Sequence, residues 1–121
     1  MSERFSENEI LKSTKLIEKL FLEGKSVYFY PLKLIYIECE WKDASVKIGF
    51  GVSKKNFKRA VDRNLLKRRM REAYRKNKPQ VSTKNYACML IYSSKKIENY
   101  TFIQNQLKQC FNKSISREIN N

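Results

Sequence analysis

The stretch Lys54–Lys76, "KKNFKRAVDRNLLKRRMREAYRK", carries the residues best suited to a definite chemistry. Between Lys58 and Arg75 it holds eight basic residues and two acidic ones, with no glycine or proline. Guanidinium groups bind phosphate through a planar fork of donors, and ammonium groups bind it as point charges. The bland alternative is a solvated helix surface built from good helix formers. Such a surface mixes signs to gain i,i+4 pairs worth roughly 0.2–0.5 kcal/mol each, and here only Asp62 and Glu72 are acidic. Arginine outnumbers lysine in the middle of the run, which suits bidentate phosphate contact. The segment is therefore read as a phosphate-binding helix.

Other chemistries are excluded by what is missing. There is no histidine, and Cys39, Cys88 and Cys110 form no CxxC pair. That removes zinc fingers and Ser-His-Asp or Cys-His catalysis. The cysteines sit among apolar neighbours and read as small buried hydrophobes in a reducing compartment. The acidic residues are scattered, so no protein catalyst is assigned. The net charge of +14 costs self-repulsion unless a polyanion compensates it. Nucleic acid is the first candidate and an anionic membrane surface the second. No run approaches the ~18 apolar residues of a membrane span, and the N-terminus lacks a signal-peptide pattern. The expectation is a soluble, cytoplasmic protein.

The elements that must position the basic run follow from periodicity. With 121 residues, 41% of them hydrophobic, the chain suits one packed domain over 1–121, with an ordered core at about 10–115 and polar ends. Leu16, Ile17, Leu20 and Phe21 recur at helical spacing between a possible N-cap, Ser13, and a C-terminal Gly24, giving a helix at about 13–23. "SVYFYPLKLIYIECEW" is extended, and Pro31 divides it into a short strand and a longer one. "EWKDA" is a turn. "SVKIGFGVS" alternates, with Val46, Ile48, Phe50 and Val52 on one face and two glycines on the other. The basic segment is a helix beginning after Asn56 and stopping by Pro79. It turns Leu66, Met70, Ala73 and Tyr74 to the core. "VSTK" is a loop, "NYACMLIYSS" a strand covered on both faces, and Ile103, Leu107, Cys110 and Phe111 a stripe on a helix starting near Asn99. The order α-β-β-β-α-β-α describes an α/β (α+β) two-layer sandwich.

"VSKKNFKRAVDRNLLKRRMREAYR" resembles the signature segment of the bacterial ribonuclease P protein family, with its lysine pair at a strand end and its "RNR" motif opening onto "KR" and a further arginine. "LIEKLFLEGKSV", "KIGFGVSKK" and "LKQCF" resemble further parts of that family, so the likeness runs from about residue 10 to 112. It implies a left-handed β-α-β crossover, against the general right-handed rule. It also implies a division of labour: a catalytic RNA with bound Mg2+ removes the 5′ leader of precursor tRNA. The protein, one per RNA, binds that RNA and the leader. By position, the resemblance puts Arg63, Asn64, Lys67, Arg68 and Arg71 on the RNA subunit, and Arg59, Arg69 and Arg75 of the same basic run are expected to join them. It puts Phe21, Ile17, Lys54, Lys55 and Tyr92 toward the leader, with Tyr28, Tyr30 and Tyr36 as further candidates.

Three departures stand out. Ile17 occupies the place of a family aromatic. Ile91-Tyr92 replace a basic pair at the end of the last strand, and Lys95 and Lys96 follow it. Leu65 stands where the motif has arginine, and Arg69 stands one turn later where leucine is common, which suggests a positional exchange. Competing readings are a ribosomal-type RNA-binding protein, a DNA-binding factor with its basic helix in the major groove, and a stand-alone nuclease. The strand before the basic helix counts against helix-turn-helix docking.

Overall fold

The computed structural model describes residues 14–39, 46–79 and 85–115. Its elements are α1 (Thr14–Glu23), β1 (Lys25–Phe29), β2 (Leu32–Cys39), β3 (Val46–Val52), α2 (Ala60–Lys76), β4 (Asn85–Tyr92) and α3 (Tyr100–Asn112). This is the expected order. The expected N-cap Ser13, the turn "EWKDA" and the loop "VSTK" lie outside the described residues.

The strands form one sheet in the order β1-β2-β4-β3. β4 pairs antiparallel with β2 and parallel with β3, so α2 is the crossover between parallel neighbours. Alternation then sorts side chains between two faces. On one face Leu32, Leu34, Tyr36, Ile48, Tyr86, Cys88, Leu90 and Tyr92 meet Leu66, Met70, Ala73 and Tyr74 of α2 and Ile103, Leu107, Cys110 and Phe111 of α3. On the other, Leu20 of α1 packs on Ile35 and Ala87, with Leu16, Ile17, Ile37, Met89 and Ile91 around it. The main core thus lies under α2 and α3, and α1 covers part of the opposite face.

Local chemistry explains the boundaries. Asn99 caps α3, its side chain accepting from Phe102 N at 2.9 Å. Asn77 closes α2 by donating to Ala73 O at 2.8 Å and to Gln104 Oε1 at 2.9 Å, which also ties α2 to α3. Gly24 ends α1 without a positive φ. Its need for glycine is steric: a Cβ there would stand 2.4 Å from Leu20 O and 2.9 Å from Ile35 Cγ2. The Tyr30-Pro31 peptide between β1 and β2 is cis.

α2 starts at Ala60, later than the composition of the segment suggests. The reason is Phe57. Its ring is buried, edge-on to Tyr92 with centroids 5.9 Å apart. Residues 53–59 turn to deliver it, with Phe57 N bonded to Ser53 O at 3.0 Å.

Candidate nucleic-acid interface

At about 100° per residue, Asn64, Arg68, Arg71 and Arg75 share the side of α2 opposite Leu66, Met70 and Ala73, and Lys67 lies at the edge beside Tyr74. Asn64, Arg68 and Arg71 are exposed and Lys67 is half-buried. Arg59 is the exposed N-cap residue, and no side chain caps this end. Lysines and an arginine therefore crowd the positive end of the helix dipole, an arrangement that a bound anion relieves. Lys54 and Lys55 are exposed in the turn that leaves β3, just before it.

Two motif arginines make bonds within the protein. Arg63 and Arg69 sit at the two borders of the buried face. Arg63 Nη1 donates to the carbonyls of Phe57 and Lys58, each at 2.8 Å, and so fixes the turn ahead of α2. Arg69 Nη1 donates to Glu98 O at 2.7 Å and ties α2 to the segment between β4 and α3. Arg75 is paired with Glu72 one turn back and holds that carboxyl below its usual pKa range. The cations best presented to a polyanion are thus Arg59, Lys67, Arg68 and Arg71, with Lys54 and Lys55 beside them.

The residues expected to face a leader divide between the two faces of the sheet. Phe21 is 52% exposed and outside both core clusters, so it is not a core residue. Ile17, half-buried, packs against the Leu20 cluster. Tyr28 is 54% exposed and paired across from Lys33, which by alternation places it on α1's side of the sheet. Tyr36 is core, and Tyr30 turns its hydroxyl to Ser94 and Glu98.

Tyr92 is a correction. It is fully buried on the α2 side, its hydroxyl donating to Lys96 O at 2.7 Å and accepting from Glu98 N at 2.9 Å. Its ring therefore lies on the opposite side of the sheet from α1.

A family model described as Ribonuclease P matches residues 5–117. The chain belongs to the ribonuclease P family. Among curated members, the ribonuclease P protein component of Chlorobium phaeobacteroides is 46% identical over 80 residues, covering 63% of this chain and 55% of that protein. The component from Porphyromonas gingivalis is 43% identical over 74 residues, covering 60% and 54%. The matched part thus spans about half the length of these relatives. In fold, the RNase P protein of Thermotoga maritima superposes with a TM-score of 0.70 at 23% identity, covering 84% of this chain and 93% of that one. That of Staphylococcus aureus gives 0.68 at 24% identity, covering 93% and 98%. The mixed α/β fold read from the sequence is therefore the fold of ribonuclease P proteins.

Tyr92 also makes a pH prediction. Burial pushes its phenol up to about 12, above the ordinary value of about 10. The folded state therefore holds this proton more tightly than the unfolded chain. The resulting stabilisation is complete below about pH 10 and is lost as pH rises through about 12. Wild type should lose denaturant stability more steeply over that window than Tyr92→Phe. Parallel curves for the two proteins would contradict the assignment.

Proposed function

We propose that the chain is the protein subunit of a cytoplasmic ribonuclease P. It binds a catalytic RNA through α2 and the turn before it, one protein per RNA. It also holds the single-stranded 5′ leader of precursor tRNA on the side of the sheet that carries α1. The observation that carries the reading is the family match across nearly the whole chain, joined to an exposed row of cations on the matching helix.

On this reading the RNA performs the magnesium-dependent hydrolysis, and the protein raises substrate and effective metal affinity. On the same reading Mg2+ is bound mainly by the RNA. Arg59, Lys67, Arg68 and Arg71 neutralise RNA phosphates, and Asn64 adds a polar contact among them. Arg63 and Arg69 hold the cationic helix in place. Phe21 and Tyr28 offer aromatic faces to leader bases, with Ile17 as apolar backing. Lys33, across from Tyr28, meets the backbone.

The test is reconstitution with a bacterial ribonuclease P RNA, following leader removal at low Mg2+. The wild-type protein should stimulate cleavage, and the protein freed of RNA should cleave nothing. Phe21→Ala should weaken binding of leader-bearing substrate by about 1–3 kcal/mol, while mature tRNA and the RNA subunit bind as before. Absence of stimulation by the wild-type protein would remove the proposal. Cleavage by the RNA-free protein would restore the stand-alone nuclease reading.

A further inference from the structure

The tripeptide Ser-Lys-Lys occurs twice, at Ser53-Lys54-Lys55 and at Ser94-Lys95-Lys96. The two copies leave the sheet side by side. β3 and β4 run parallel with Val52 opposite Tyr92, so both segments emerge at the carboxyl ends of neighbouring strands, about 4.8 Å apart. Each copy makes the same serine bond. Ser53 Oγ accepts from Lys55 N at 3.1 Å, and Ser94 Oγ accepts from Lys96 N at 3.1 Å. All four lysines are exposed.

The second copy is held with unusual care for an exposed loop. Ser93 N donates to Pro31 O at 2.7 Å. Tyr92 Oη bridges Lys96 O and Glu98 N. Tyr30 Oη donates to the Glu98 carboxylate at 2.9 Å, which keeps the nearest acid engaged. Arg69 then reaches from α2 to Glu98 O at 2.7 Å. The loop is thereby locked to the helix that carries the main row of cations.

We propose that Lys95 and Lys96 form, with Lys54 and Lys55, one phosphate-backbone-binding surface at the carboxyl ends of β3 and β4, and that Arg69 positions this surface through Glu98 instead of contacting RNA itself. The inference rests on reading the chain as an RNA-binding protein, and it changes the meaning of Leu65 and Arg69. The arginine has not moved down one turn along the same RNA contact. It has moved toward the buried border of α2, where it docks a second cationic loop beside the first.

The experiment measures binding of labelled ribonuclease P RNA, and of an unrelated folded RNA, against salt. The proteins are wild type, Lys54→Ala/Lys55→Ala, Lys95→Ala/Lys96→Ala, Arg69→Ala, and Arg69→Ala combined with the second pair. Each lysine pair, being exposed, should melt as wild type does. Each should reduce the magnitude of the log–log salt slope by about 1 to 2. Arg69→Ala alone should weaken binding, and should weaken it no further once Lys95 and Lys96 are gone. A slope unchanged by Lys95→Ala/Lys96→Ala on both RNAs overturns the shared surface. Full additivity of Arg69→Ala with that pair overturns its positioning role. Failure of the wild-type protein to stimulate leader cleavage removes the ribonuclease P reading instead, and the slopes still decide this one.

Discussion

Raising salt from 50 to 200 mM is expected to weaken the complex with a ribonuclease P RNA by on the order of 10³-fold or more. The size of the effect follows from how many phosphates the protein can neutralise. Arg59, Arg68, Arg71, Lys54 and Lys55 are exposed and Lys67 half-exposed, while Arg63, Arg69 and Arg75 make bonds within the protein. About six phosphate contacts give a steep log–log dependence, because each releases condensed counterions. Filter binding at several salt concentrations measures it directly. Removing one exposed cation, as in Arg68→Ala, should lower the slope by about 1 and weaken binding to every folded RNA alike. A flat salt dependence would exclude phosphate-dominated recognition.

Tyr74→Ala should destabilise the protein by about 3–5 kcal/mol, a large share of the roughly 5–15 kcal/mol that holds a domain folded. The ring is 2% exposed and lies between two others. It meets Phe50 of β3 edge-on, with centroids 6.1 Å apart, and Phe111 of α3 at 5.7 Å. It therefore joins sheet, basic helix and closing helix at one point, and its loss leaves a cavity among all three. Chemical denaturation gives the magnitude. RNA binding should fall along with stability although no cation has been removed, since α2 would lose its fixed mounting. Tyr74→Phe, which keeps the ring, should recover most of both. A cost below about 1 kcal/mol would mean that α2 does not depend on this contact.

The parts of this molecule that were legible in its sequence are those governed by local periodicity. Leu66, Met70, Ala73 and Tyr74 fall on one side of a helix by spacing alone, and they are buried. Pro31 separates β1 from β2, and Asn99 caps α3, because proline and asparagine act on their immediate neighbours. The illegible parts depend on partners distant in sequence. Spacing sets Arg69 nearer the buried face than Arg68, but nothing local names its partner, a carbonyl 29 residues away. Tyr92 was ambiguous because β4 is apolar on both faces, so its pattern carries no alternation from which to read direction. Its neighbour Ile91 points to the α1 side, and Tyr92 to the α2 side. The late start of α2 was hidden because Phe57 is a lone aromatic in a charged segment, and only the sheet explains why it turns inward.

The position of β4 has a consequence for the assembly of the sheet. Among the described residues β4 is the last strand in chain order, yet it stands between β2 and β3. Without β4, β1 would still have β2 to pair with, but β3 would lack the one neighbour it has among the described residues. The cationic helix would lack the strand that orders the surface beneath it. Until β4 slots in, the apolar sides of α2 and β3 lack the strand they pack around. Assembly of the sheet is therefore the step that converts a general affinity for nucleic acid into a fixed pattern of charge.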